Sequence, residues 1–267
     1  MWGYEITMHQ VTLVTGATGA IGKAIAQGLA QSGVCQVVLA CRNEEKARRA
    51  VWDISQATGN NQVRYELVDL SRHLSIQALA ERWRGPLDIL VNNAAVTPRG
   101  RQETPEGIEV QFATNVLGYF WMTQAFTEHL RQSSPARVVN VASYWAGDLD
   151  LTDLEFKRRR YRNGTAYRQS KQANRMLTVA LAERLRSFDV SVNACHPGDV
   201  NSRLSNNLGF RGHDTPEEGA TTPVWLATSP VGQKVTGQYF EHMREVRCRF
   251  GENKQAVEAL YGACESY

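Results

Sequence analysis

The segment Val11-Thr12-Leu13-Val14 runs straight into Thr15-Gly16-Ala17-Thr18-Gly19-Ala20-Ile21-Gly22-Lys23, and then into a stretch with Ile25 and Leu29 at helical spacing. No other feature constrains the fold as tightly. Small residues between a buried strand and a helix let the backbone approach a pyrophosphate. The helix start adds free N–H groups and the positive end of its dipole. The order therefore points to a nucleotide site built on a βα unit, with Gly16, Thr18, Gly19, Ala20, Ile21 and Gly22 against the phosphates.

The rest of the chain repeats that unit. Apolar, β-branched runs at 11–14, 36–40, 63–68, 87–91, 137–141, 190–195 and 237–240 alternate with amphipathic stretches. That pattern winds a parallel sheet, and near-continuous hydrophobicity fits strands covered on both faces. The expected class is α/β, a doubly wound sheet of about seven strands, and at 267 residues one domain spanning 1–267 suffices. Two helix starts carry caps. Thr215-Pro216-Glu217-Glu218 reads as a capping box with Pro in the first turn, ahead of an apolar stretch through Leu226, and Thr104-Pro105 is expected to open the helix holding Asn115.

Composition narrows the function. No apolar run approaches the roughly 18 residues of a membrane span, and residues 1–9 lack the basic start and apolar stretch of a signal peptide. Five cysteines, Cys35, Cys41, Cys195, Cys248 and Cys264, form no CxxC pair and no metal-ligand spacing. Reduced thiols, no metal and a cytoplasmic location are the expectation. A net charge of +3 excludes a dedicated nucleic-acid binder, and the basic run Lys157-Arg158-Arg159-Arg160-Tyr161-Arg162 reads as a solvated loop.

Arg42 stands at the end of the second strand, about 20 residues beyond the glycine turn, where an NAD enzyme usually places an acid for the ribose 2′-hydroxyl. A guanidinium there suits a 2′-phosphate. NADP(H) is therefore the expected cofactor, with NAD(H) the lesser alternative.

Four segments in chain order resemble the short-chain dehydrogenase/reductase family. The glycine turn resembles the family's TGxxxGxG, with Ala20 at the middle glycine, and its actual spacing also resembles the GxxGxxG of the longer, epimerase-like members. Leu90-Val91-Asn92-Asn93-Ala94-Ala95 is similar to the NNAG motif, Asp69-Leu70 to the pair at the adenine, and His196-Pro197-Gly198-Asp199-Val200-Asn201-Ser202 to PGxVxT/S. The resemblance implies a Rossmann domain with Asp69, Leu70, Asn93, Ala94, Pro197, Gly198, Val200 and Ser202 around the cofactor.

Tyr167 and Lys171, four apart in a long helical stretch through Leu185, project from one face. A phenol normally ionises near pH 10, and a neighbouring ammonium is expected to lower that. Ser143 follows the fifth strand, and Asn115 lies mid-helix in Thr114-Asn115-Val116-Leu117-Gly118. By resemblance these complete an Asn-Ser-Tyr-Lys tetrad in which Ser143 binds the substrate oxygen, Tyr167 exchanges its proton, Lys171 also holds the nicotinamide ribose, and Asn115 anchors a water relaying protons to Lys171.

Within the family, the retinol-dehydrogenase-like, carbonyl-reductase branch is the closest resemblance. It rests on Leu39-Ala40-Cys41-Arg42, on Asp150-Leu151-Thr152-Asp153-Leu154 leading to Tyr161 and Ala166-Tyr167-Arg168-Gln169-Ser170-Lys171, and on Thr215-Pro216-Glu217-Glu218-Gly219-Ala220. It implies a small lipophilic aldehyde, ketone or alcohol as partner, with Tyr144, Trp145 and Leu204 near it, substrate loops at about 147–164 and 201–214, and assembly as a homodimer or homotetramer. Two alternatives stay open: an epimerase/dehydratase-like member, and a catalytically silent NADP-binding regulatory protein.

Overall fold

The computed structural model describes residues 10–33 and 35–267, with only the backbone of Cys35. The expectations about residues 1–9 and the Cys35 thiol lie outside these residues. In chain order the elements are β1 (Gln10–Thr15), α1 (Ala20–Gln31), β2 (Cys35–Cys41), α2 (Glu44–Thr58), β3 (Val63–Leu67), α3 (His73–Arg82) and β4 (Ile89–Asn92). There follow α4 (Val110–Phe112), a π-helical turn (Ala113–Leu117), α5 (Gly118–Ala125), α6 (Thr127–Gln132), β5 (Ala136–Val141), α7 (Asn163–Leu185) and β6 (Val190–His196). The last third holds α8 (Arg203–Asn207), α9 (Pro216–Thr228), α10 (Pro230–Lys234), β7 (Tyr239–Glu241), β8 (Arg244–Glu245) and α11 (Lys254–Glu265).

The strands form one sheet in the order β3-β2-β1-β4-β5-β6-β7-β8. All pair in parallel except β8, which is antiparallel to β7. Successive side chains alternate between faces. Leu13, Val38, Leu90, Val138 and Val192 join the core under α3, α5, α7 and α11. Val14, Leu39, Val91 and Val139 join the one under α1, α2 and α9. Two buried layers explain why the strands read as unbroken apolar runs.

Three local differences from the sequence reading have physical causes. β8 is an eighth strand, made by a tight turn in which His242 and Met243 both adopt positive φ; no Asn-Gly or similar pair announces it. Leu87 precedes β4 in irregular chain, its amide donating to the His129 carbonyl, because hydrophobicity reports burial and not pairing. Thr104-Pro105 does not open the Asn115 helix. The Thr104 hydroxyl accepts from the Glu106 and Ile108 amides in a local turn, and Glu109 caps α4 by accepting from the Gln111 and Phe112 amides. At α9 the expected box is present: Thr215 Oγ1 accepts from the Glu218 amide and the Glu218 carboxylate from the Thr215 amide.

Strand order reverses between β1 and β4, which opens a crevice at their carboxyl ends. The glycine turn sits there. Gly16 has φ +65°, and a Cβ on it would lie 2.7 Å from Ala94 Cα. A Cβ on Gly22 would lie 2.4 Å from the Gly16 carbonyl oxygen and 2.5 Å from Asn93 Nδ2. Gly19 is the extended residue before α1, where a Cβ would meet only the Gly16 oxygen at 3.3 Å. Ala20 opens the helix exposed, so the turn needs glycine at 16 and 22 and not at 20. Gly22→Ala should cost about 1–3 kcal/mol through overpacking, whereas Gly19→Ala should stay within about 1 kcal/mol of the unmodified protein. Thermal melts of the two variants check this, and equal melting would refute the difference.

Candidate active site

Three of the four expected side chains, Ser143, Tyr167 and Lys171, come together at the carboxyl end of the sheet, and Asn115 reaches α7 through Ser170. Ser143 follows β5, its hydroxyl accepts from the Trp145 amide at 3.0 Å, and it lies close enough to the Tyr167 phenol to lower its pKa. Tyr167 and Lys171 extend from one face of α7. Lys171 Nζ donates to the Val141 carbonyl at 2.8 Å and stands 5.7 Å from the Tyr167 ring centre and 5.3 Å from that of Tyr119.

Asn115 lies in the π-helical turn, a distortion frequent at functional sites. Its Oδ1 accepts from the Val96 amide at 2.8 Å, and its Nδ2 donates to the Val96 carbonyl at 3.0 Å and to Gln111 Oε1 and Ser170 Oγ at 3.4 Å. Gln111 in turn donates to the Tyr161 hydroxyl at 2.7 Å. Sequence reasoning missed Gln111 and the cap Glu109, because a buried Gln has no spacing signature.

The acid–base balance differs from the sequence reading. Burial, and not the neighbouring lysine, dominates at Tyr167 and pushes its phenol up to about 12, with the nearby Ser143 hydroxyl opposing. Burial likewise pulls Lys171 down to about 7. A buried ammonium with one carbonyl partner is costly, so its own charge is weakened before it can act on the phenol.

The expected cofactor residues surround the crevice. Asn93 Nδ2 donates to the Thr15 carbonyl, while the Asn93 and Ala94 amides donate to Thr15 Oγ1 at 2.8 and 3.1 Å, stitching that segment to the glycine turn. Asp69 Oδ1 accepts from the Ser71 amide and hydroxyl, shaping the loop after β3, and Leu70 is buried beside it against Gly118. Arg42 is exposed immediately after β2, next to Cys41, whose thiol meets Ala17 and Thr18 of the turn. It has no ion-pair partner among the described residues.

At the other end Ile21, Pro197, Gly198, Val200 and Ser202 line one shallow cleft with Ser143 and Tyr167, a cavity of about 50 Å³ that opens to solvent. Tyr144, Trp145 and Leu204 line it as well. So do His196, Asp199, Ser205 and Phe210, which sequence reading did not assign. Phe210 meets Trp145 edge to face at 5.7 Å, making an aromatic wall; one aromatic inside a polar segment was its only signal.

Segment 201–214 is anchored unevenly. Ser202 caps α8, and the His213 and Asp214 amides return to the Asp199 carbonyl. Gly212 is packed so tightly that a Cβ would overlap Asp199 and Val200 backbone, which makes it an anchor and not a hinge. Gly209, at φ +89° with open space around it, keeps the freedom a hinge needs. The basic run at 157–162 is partly consumed locally: Lys157 pairs with Glu155, and Arg159 with Asp150 and Asp153. No helix among the described residues is long and apolar enough to cross a membrane.

The sequence model of the short chain dehydrogenase family matches residues 10–210. Retinol dehydrogenase 13 of Mus musculus is 36% identical over 256 residues, covering 88% of this chain and 76% of that protein. A crystal structure of an uncharacterised protein of Mycobacterium paratuberculosis superposes with a TM-score of 0.80 at 26% identity, over 96% of this chain and 92% of the other. A short chain dehydrogenase of Escherichia coli in complex with NADPH matches with a TM-score of 0.70 at 25% identity, over 87% and 95% of the two chains.

Proposed function

The chain belongs to the short chain dehydrogenase family, in its retinol-dehydrogenase-like branch, and from that premise we propose that it is an NADP-dependent oxidoreductase acting on a lipophilic aldehyde, ketone or alcohol in the cytoplasm. One observation carries the reading: the Ser143–Tyr167 pair and Lys171 converge where the cleft meets a cradle that tolerates no Cβ at Gly16 or Gly22. That cradle fits a dinucleotide pyrophosphate at the α1 N-terminus.

Residues 16–22 would hold the phosphates, Arg42 the 2′-phosphate, Asp69 and Leu70 the adenine, Asn93 and Ala94 the middle of the cofactor, and Pro197, Gly198, Val200 and Ser202 the nicotinamide end. The nicotinamide supplies or accepts the hydride when bound. Ser143 then donates a hydrogen bond to the substrate oxygen, and Tyr167 passes its proton to that oxygen in reduction or takes it in oxidation. Lys171 would hold the ribose and stabilise the phenolate left behind, while Asn115, pinned to Val96, would anchor the water that returns a proton toward Lys171. Trp145, Leu204 and Phe210 supply apolar walls for the substrate. The free thiols of Cys41, Cys195, Cys248 and Cys264 suit a reducing compartment.

The test is oxidation of NADPH and of NADH against a panel of aldehydes, ketones and quinones, followed by alcohols with the oxidised cofactors. Turnover of lipophilic carbonyls with NADPH is expected. Cofactor binding without turnover of any member would leave a silent regulatory protein in its place.

Segment 201–214 is read as a lid over the substrate, swinging on Gly209 while residues 212–214 stay fixed. Limited proteolysis should cut it readily in the free protein and slowly with NADPH plus a product analogue. Equal cleavage in both states would count against closure.

A further inference from the structure

The cleft contains polar groups that the proposed reaction leaves unused. His196, at the end of β6, is 6% exposed and lines the cleft, yet its side chain makes no hydrogen bond among the described residues, and Nδ1 is fully buried without a partner. Tyr144 stands perpendicular to the imidazole at 4.6 Å and donates its hydroxyl to Asp199 Oδ2 at 3.2 Å. The side chain of Asp199 accepts nothing else among the described residues, which leaves Oδ1 open. Burial holds the imidazole neutral by pulling its pKa down to about 4, against the carboxylates of Asp199, Glu241 and Asp214.

Nδ1 is sealed from any ligand, so Nε2, which has no partner among the described residues either, is the nitrogen that a ligand in the cleft can meet. The chemistry of that ligand is restricted. The Asp199 carboxylate accepts only and repels anions, which disfavours a carboxylate or phosphate. A neutral imidazole offers one N–H and one lone pair. A carbonyl cannot donate to Asp199, and an ammonium cannot accept from the His196 N–H, so it fits only the tautomer that turns the lone pair to the cleft. A hydroxyl does both. We propose that His196 and Asp199, with Tyr144 as their cover, form a second polar subsite that takes a hydroxyl of the substrate, so that hydroxylated carbonyl compounds are preferred over their plain counterparts. This rests on the oxidoreductase reading and adds to it the substrate class.

The test compares kcat/KM for 2-decanone, 1-hydroxy-2-decanone and 4-hydroxy-2-decanone with NADPH. The unmodified protein should favour at least one hydroxyketone by about ten-fold, the effect of one well-made hydrogen-bonding site. In His196→Phe, which keeps a ring against Tyr144, and in the independent Asp199→Ala, that ratio should fall toward one whatever happens to the absolute rates. Turnover of 2-decanone with no preference, or a preference untouched by both substitutions, overturns the subsite and leaves the oxidoreductase reading standing. If no ketone or alcohol is turned over with either cofactor, that reading fails and the subsite falls with it.

Discussion

Tyr167→Phe should lower kcat by about 10²–10⁴, the usual contribution of a positioned acid or base, while the NADPH dissociation constant stays within a few-fold. Phe keeps the ring that packs at this buried position and removes only the oxygen beside Ser143. Lys171→Ala should damage both quantities, since it removes the group expected at the ribose and empties a site where Nζ now holds the Val141 carbonyl.

The pH dependence follows from the same burial. With the phenol raised to about 12, Tyr167 stays protonated across neutral pH. The donor form exists below that pKa and is lost above it, so Tyr167 itself imposes no pH dependence on carbonyl reduction from pH 6 to pH 9, and a fall in that window reports loss of the Lys171 charge, which burial pulls down to about 7. Alcohol oxidation needs the phenolate, whose fraction grows about ten-fold per pH unit below the pKa, so its rate should climb with pH. Steady-state kinetics in both directions check this. A Tyr167→Phe protein keeping most of its rate constant would remove Tyr167 as the proton donor.

Much of this site was legible in the order of residues because backbone geometry dictates it. Gly16 and Gly22 are visible in sequence since the turn excludes a side chain there, and Tyr167 and Lys171 since helical spacing puts them on one face. The cap at Thr215 is equally local: box, proline and helix all lie within a few residues. What sequence could not deliver depends on contacts across the chain. The Thr104 hydroxyl is an acceptable cap by type, but the chain turns again at Gly107, φ +80°, and the cap passes to Glu109. The Tyr167 pKa was misjudged because spacing reveals the lysine and not the burial around both groups. His196 was visible as part of a cofactor-binding segment, but its lack of a partner exists only once β6 is set beside Tyr144.

Cofactor choice is expected to turn on a single exposed side chain. Arg42 follows β2 beside the glycine turn and is engaged in no ion pair among the described residues, so its guanidinium is available to a ligand without breaking a bridge. Charge-assisted hydrogen bonds to a 2′-phosphate contribute on the order of 1.5–3 kcal/mol, or roughly ten- to 150-fold in affinity. NADH lacks that phosphate and forgoes the gain. Arg42→Asp reverses the sign of the charge: the phosphate loses its partner and meets a carboxylate, while the bare ribose gains an acceptor for its 2′-hydroxyl. The ratio of NADPH to NADH dissociation constants should therefore invert, with NADPH weakened at least ten-fold and NADH changed little or improved. Because the side chain is exposed, the fold should tolerate the change, and the unmodified melting temperature serves as the control. Measuring both dissociation constants for both proteins decides the matter, and equal affinities in the unmodified protein would remove Arg42 as the determinant of cofactor choice.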